Sequence, residues 1–297
     1  MIKKHLTIVL IVILAVANAV TGSLLISAYY GRYAYDENAV SELIGLMDGI
    51  GVEVPAGIFS SRRGDVNVYS GECTDDMIIR AANVIAPDGI VSRNGNEISV
   101  LTQQGHYTFG QKSEFDYKAN SVFGIDEEKF DTRHDDAILT RSLLRTVRKY
   151  FHLQALFSSG VNSGGAADTS TSIVSVASDN SGNYLVELCV TFDGLPTDNT
   201  VQVVISGGDV VYAHGKLPFV LPTVAQSADI YDRLTVVTQE YRRLSGKVTE
   251  KKTMTGITVG YDMSIDAFGT VYYMPICTVS YSDGEIAVYD LIQCKLL

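Results

Sequence analysis

The chain has no tryptophan among its 297 residues and only four cysteines. Cys73, Cys189, Cys277 and Cys294 form no CxxC and no metal-ligand spacing, so neither a zinc ribbon nor a dithiol redox motif is written here. The pair nearest in sequence fails a register test. A two-residue turn through Asp283-Gly284 sets position 282 opposite 285 and hence 277 opposite 290. Cys294 then lies about 13 Å along the strand from the partner of Cys277, too far for a disulfide. Free, mostly buried thiols are expected.

Catalytic signatures are missing as well. There is no GxSxG, SxxK, HExxH or phosphate loop, and so no ready nucleophile, metal pair or phosphate cradle. Gly160 to Gly165 (GVNSGG) has the glycines of such a cradle without its lysine or its strand-to-helix setting. Leu195-Pro196-Thr197 and Leu221-Pro222-Thr223 do not complete a sortase signal, and Asp179 to Glu187 lacks the glycine and ligand spacing of a calcium loop. Adjacent acids occur at Asp75-Asp76, Glu127-Glu128 and Asp135-Asp136. Helix neighbours point about 100° apart, so these pairs cannot flank one bond, and they read as helix-start charges. Asp131, His134 and Asp135 could share a helix face, but no further ligand and no second shell is implied. His106 and His214 sit beside glycines at strand ends. No catalytic residue, metal or cofactor is assigned, and the chain is expected not to be an enzyme.

Basic residues are in short supply, 23 against 34 acidic. Setting aside Lys3 and Lys4 leaves 21 against 34 beyond position 28, a charge of −13. Such a surface argues against a nucleic-acid partner.

Charge is wholly absent from Leu6 to Ala28, LTIVLIVILAVANAVTGSLLISA. A helix of that length spans roughly 34 Å at ~1.5 Å per residue, enough for a hydrocarbon core of about 30 Å. Lys3 and Lys4 precede it, and Tyr29, Tyr30, Arg32, Tyr33 and Tyr35 follow, which predicts a cytoplasmic N-terminus and an extracytoplasmic body. A cleaved signal peptide ending at Ala17-Asn18-Ala19 is the competing reading. Ala15, Ala19, Ser23 and Ser27 recur every four residues with Asn18 and Gly22 beside them, a face suited to contact with another membrane helix.

Beyond the span, Asp36 can cap a helix bearing Val40, Leu43, Ile44 and Met47, and Thr74 one bearing Met77, Ile78, Ala81, Ala82 and Ile85. Strands are expected at Asp65 to Tyr69, Gly89 to Ser92, Glu97 to Leu101 and Gly105 to Tyr117. A second block has a helix from Asp126 towards His152, with Leu139, Leu143 and Val147 inward, then a loop over Ser158 to Thr171. Strands follow at Ser172 to Ala177, Tyr184 to Phe192, Val201 to Ser206 and Val210 to His214. A long helix over 225–244 carries Ile230, Leu234, Val237, Tyr241 and Leu244 on one stripe. Strands near Gly256 to Met263, Thr270 to Tyr281 and Glu285 to Leu291 close the chain. The fold class is thus α+β: a tail and transmembrane anchor over 1–28, then two helix-on-antiparallel-sheet units over 36–118 and 126–297.

The order of features resembles the YycH/YycI group of two-component regulatory proteins of Gram-positive bacteria. The likeness rests on the Asn18-bearing N-terminal helix, SELIGLMDGIGVEVP (Ser41 to Pro55), GHYTFGQKSEFDY (Gly105 to Tyr117) and DDAILTRSLLRTV. It continues through NYLVELCVTFDGLPTDNTVQVVISGGDVVYAHG (Asn183 to Gly215) and VYYMPICTVSYSDGEIAVYD (Val271 to Asp290). The resemblance implies a membrane-anchored accessory protein that binds and modulates a sensor histidine kinase in cell-wall homeostasis, with a YycH-like protein as a further partner. Two alternatives stand beside it: an anchored module binding envelope polymer or peptide, and an envelope enzyme or protease inhibitor.

Overall fold

A computed structural model describes residues 35–59, 65–110, 112–121, 126–158, 169–218, 223–266 and 269–297. In chain order the elements are α1 (Glu37–Gly49), β1 (Val52–Glu53), β2 (Asp65–Glu72), α2 (Asp75–Ile85), β3 (Ile90–Asn94), β4 (Glu97–Leu101), β5 (Gly105–Gly110) and β6 (Glu114–Ala119). Then come β7 (Thr132–Arg133), α3 (Ala137–Tyr150), α4 (Leu153–Ser158), β8 (Thr169–Ser178), β9 (Tyr184–Phe192), β10 (Leu195–Ser206) and β11 (Asp209–Lys216). The last are β12 (Thr223–Asp229), α5 (Arg233–Leu244), β13 (Lys252–Ile265), β14 (Thr270–Tyr281), β15 (Ile286–Asp290) and β16 (Lys295–Leu296). They form two compact units, each discontinuous in sequence: one of Met1–Val66, Asp229–Thr258 and Cys277–Leu297, the other of Asn67–Ala228 and Val259–Ile276.

The larger unit is built on an antiparallel run ordered β7-β8-β9-β10-β11-β6-β5-β4-β3. Alternation along β5 and β6 buries Tyr107, Phe109, Phe115 and Tyr117 on one face, because successive strand side chains point to opposite sides. The rings of Tyr107, Phe115 and Tyr117 pack edge-on against Phe151 at the end of α3, and the Tyr117 and Tyr150 hydroxyls meet. Helices α2, α3 and α4 lie on this face. At its start β10 leaves the run: Thr197 pairs in parallel with Tyr261 of β13, opening a branch β13-β14-β2-β12. Tyr69, Phe192, Tyr261 and Tyr273 fill the core there. Neither end of the path closes on the other, so the sheet is open.

In the smaller unit α1, capped by the Asp36 carboxylate accepting from the Asn38 amide, packs beside α5. Strand β1 pairs in parallel with the start of β13, and β15 joins β14 to β16.

Several expectations need correction. The fold is mixed α+β with an open sheet, and strands of both sequence blocks share it, since β6 pairs with β11. No helix among the described residues is long and apolar enough to cross a membrane. The longest, α3, has 14 residues, about 21 Å at 1.5 Å per residue, and carries Arg141, Arg145, Arg148 and Lys149. This overturns the fold expectation of a single-pass anchor followed by two separate sheet units, and with it the cell-membrane, N-terminus-inside topology that rested on that span. Leu6 to Ala28, with the contact face Ala15, Asn18, Ala19, Gly22, Ser23 and Ser27, lies outside the described residues.

Local errors have local causes. The helix expected from Asp126 begins at Ala137, because the Asp136 carboxylate accepts from the amides of Ile138 and Leu139 at 2.7 and 3.4 Å, while Thr132 and Arg133 pair with β8. The helix expected over 225–244 begins at Arg233, where Asp232 accepts from the Thr235 amide at 2.9 Å; residues 223–229 are strand β12. At the last hairpin Gly284 takes φ 85°. Its amide donates to Tyr281 O and the Tyr281 amide to Glu285 O, a three-residue loop with a bulge glycine. Tyr281, not Ser282, therefore faces Glu285. All four cysteines are free, Cys189 and Cys277 buried.

Candidate functional site

The helix-free face of the larger unit carries the polar half of each strand's alternation, and register lines these residues up across the strands. Ser99 of β4 faces Thr108 of β5, Thr108 faces Asp116 of β6, and Asp116 faces His214 of β11. His214 faces Gln202 of β10, Gln202 faces Glu187 of β9, and Glu187 faces Ser175 of β8, whose hydroxyl donates to the Glu187 carboxylate at 3.1 Å. A helix-free face must be polar to sit in water, so the row alone is ordinary.

What goes beyond a solvated face is an open groove of about 880 Å³ let into it. Its walls come from β4, β5, β6, β10 and β11: Asn96, Glu97, Thr108, Lys112, Glu114, Asp116, Asp198, Thr200, Gln202, His214 and Lys216, with Gly110 and Gly215. Both glycines stand where a side chain would crowd a neighbour. A Cβ at Gly110 would run into the Glu114 carboxylate, and one at Gly215, where φ is 148°, into the Thr200 carbonyl.

Charges in the groove are partly paired. His214 Nδ1 lies 2.5 Å from Asp116 Oδ1, and Lys216 Nζ lies 3.6 Å from Asp198 Oδ2. Burial pushes the Asp198 carboxyl above its ordinary range, reinforced by the charge of Asp262, against the pull of Lys216 and the Met263 amide. The Met263 amide donates to Asp198 Oδ1 at 3.0 Å. The groove therefore offers carboxylates, ammonium groups, an imidazole, hydroxyls and two side-chain amides side by side, and can hold a hydrophilic ligand by many short polar contacts.

The residues singled out in the sequence fare unevenly. His214 is in the groove. His106 is on the same face but in another row, opposite Leu101 and Lys118. His134 is not on a helix with Asp131 and Asp135; its Nε2 lies 2.8 Å from Ser178 Oγ. No cluster of three metal-ligating side chains occurs among the described residues. Asp75 and Asp76 open α2, as helix-start charges should. Gly160 to Gly165 lies outside the described residues.

A second polar centre, in the smaller unit, was missed. Glu240 on α5 is fully buried and accepts from Arg243 at 2.7 Å on each oxygen and from the hydroxyls of Tyr281 and Tyr289. Arg243 also donates to Glu285 at 2.6 Å, which receives Lys252 as well, and the Lys252 ammonium stands 4.2 Å from the centre of the Tyr281 ring. The signal was in the spacing: Glu240 falls three after Val237 and four before Leu244, on the apolar stripe itself. Every strong donor here is already committed to an acceptor, so the centre reads as structural.

No family model matches the chain, and no curated protein matches it. Among solved structures, the chain is similar to an uncharacterized protein from Eubacterium rectale, at 11% identity and a TM-score of 0.49, covering 89% of this chain and 99% of that one. It is also similar to the Bacillus megaterium YpeB C-terminal domain, at 8% identity and a TM-score of 0.33, covering 76% and 97%. Likenesses this loose carry no argument about activity. The expected membrane-anchored regulator of a sensor histidine kinase is overturned, as is the anchored module beside it. The described helices supply no span, and no family or curated match ties the chain to two-component signalling.

Proposed function

We propose that the chain works by binding, not by catalysis, as a receptor module for a hydrophilic ligand that lies across the strands on the helix-free sheet face. The observation that carries this is the groove itself, a concavity lined by polar and charged side chains. Non-catalytic action is favoured by what the groove lacks. His214 faces a carboxylate, and among the described residues no serine, cysteine or threonine is paired with it, whereas an activated nucleophile needs its base within hydrogen-bond reach.

The test is ligand-observed NMR on the purified chain with a panel of hydrophilic probes: oligosaccharides, free amino acids, short peptides and polyamines. At least one class should bind saturably to the wild type and lose that binding in Gln202→Trp, which fills the groove floor while leaving the thermal midpoint in place. A panel in which no probe separates the two proteins would refute the reading.

A further inference from the structure

The groove on the helix-free face holds more charge than it neutralises, and the remainder is lopsided. Asp116 has His214 at 2.5 Å and Asp198 has Lys216 at 3.6 Å, so the charges on β10 and β11 are answered within the groove. Three charged side chains of the lining are left, Glu97, Glu114 and Lys112, all of them exposed. Among the described residues no ion pair or side-chain hydrogen bond engages any of the three. Their placement follows from register. Glu97 of β4 faces Gly110 of β5. Phe109 faces Phe115, so Gly110 in turn stands beside Glu114 of β6, whose carboxylate lies where a Gly110 Cβ would be. Glu97 and Glu114 thus sit two strand spacings apart, about 10 Å, across a gap that holds no side chain of its own. Lys112 comes from the turn that joins β5 to β6 at the same end. Two like charges on one gap disfavour each other, and a ligand cation between them removes that cost.

The lining also restricts what the cation can be. It has no aromatic ring and no arginine. Quaternary ammonium groups are held in aromatic cages and nucleic-acid bases on stacking rings. Phosphates are held by arginine forks or helix N-termini, and here the open charge is net negative. A primary ammonium, with three N–H donors, is what two free carboxylates recognise. Resting on the reading of the groove as a receptor, we infer that its ligand is a free basic amino acid of the lysine type. The open charges, two carboxylates and one ammonium, are the complement of that molecule's two ammonium groups and one carboxylate. It bridges Glu97 and Glu114 by its ammonium groups, sets its carboxylate on Lys112, and lies over Thr108 beside the Asp116–His214 pair. A volume of about 880 Å³ is within the range of small-molecule sites.

Equilibrium titration of the ¹⁵N-labelled full chain, followed by NMR, tests this with three probes: L-lysine, 1,5-diaminopentane, which is lysine without its carboxylate, and L-glutamate. Lysine should bind about fivefold more tightly than either of the others, the scale of exposed charge pairs, and its binding should be lost in Gln202→Trp. Lys112→Ala should erase the advantage of lysine over the diamine. Glu97→Gln combined with Glu114→Gln should erase its advantage over glutamate. All three positions are exposed, so these variants keep the fold. Lysine binding no more tightly than both other probes, or advantages that survive the substitutions, would overturn the inference. An oligosaccharide or neutral peptide that binds and is lost in Gln202→Trp, where lysine does not bind, would overturn it while leaving the receptor reading intact. A groove that takes no probe overturns both.

Discussion

Arg243 grips Glu240 with two parallel hydrogen bonds, Nε to Oε1 and Nη2 to Oε2, each 2.7 Å long. Both residues lie on α5, three positions apart, with Glu240 completely shielded from water. A buried carboxylate is costly unless its lone pairs are satisfied. Here Tyr281 and Tyr289 complete the shell. Glu240→Ala would leave Arg243 short of its main partner and two buried phenols without an acceptor. The expected loss is about 3 kcal/mol, near the lower end for breaking a buried pair because Arg243 keeps some solvent and Glu285. Urea denaturation monitored by far-UV circular dichroism measures it; a loss below about 1 kcal/mol would show that water replaces the network.

The same carboxylate gives the stability a pH dependence. Burial alone would raise the Glu240 pKa, but donation from Arg243, Tyr281 and Tyr289, with the Arg243 charge, outweighs it and holds the group below its ordinary range. Glu285, held mainly by Lys252 and then by Arg243, is lowered too. A carboxylate with a depressed folded pKa contributes stability that is fully present above its unfolded pKa of about 4.3, and lost as pH falls through the folded value. Unfolding free energy should therefore drop on acidification below about pH 4.3, and the drop should be shallower in Glu240→Gln. Denaturation at a series of pH values compares the slopes; parallel acid limbs would remove Glu240 from the account.

Gly215 and Gly182 offer a contrast between two glycines with positive φ. At Gly182, φ 80°, an added Cβ meets nothing within 4 Å; at Gly215, φ 148°, it meets the backbone of Thr200 and Val201. Gly182→Ala should cost about 1 kcal/mol of backbone strain. Gly215→Ala adds a collision that only movement of β10 relieves, and should cost about 2 kcal/mol or more. Thermal midpoints decide, and equal shifts would mean that the Gly215 backbone relaxes freely.

How much of this was legible in the sequence depended on how local each determinant is. The apolar run expected as a strand over Tyr184 to Phe192 coincides with β9 to the residue. The Asp36 cap sets α1, whereas Thr74 stands at the N-cap position of α2 without a side-chain hydrogen bond. Ile230 and Leu234 have helical spacing, yet Ile230 lies outside α5, because the Asp232 cap outweighs periodicity and β12 is specified by pairing rather than by its own polar sequence. The groove was beyond reach. Asp116 and His214 stand 98 positions apart and meet only because β6 lies against β11, a pairing between blocks that local pattern keeps separate.

That meeting supplies a last prediction. Asp116 and His214 lie 2.5 Å apart with side chains 48% and 58% exposed. A pair so open to water contributes below about 1 kcal/mol. A double-mutant cycle with Asp116→Asn and His214→Ala should give a coupling within that limit by urea denaturation. Binding should respond differently, because in the free protein these groups satisfy each other, and a ligand seated across Gln202 and Thr108 must engage or displace them. Asp116→Asn should thus change affinity for whichever probe enters the groove while leaving the thermal midpoint within about 2 °C of wild type. An unchanged affinity would place the ligand away from the Asp116 row, towards Glu97 and Lys112.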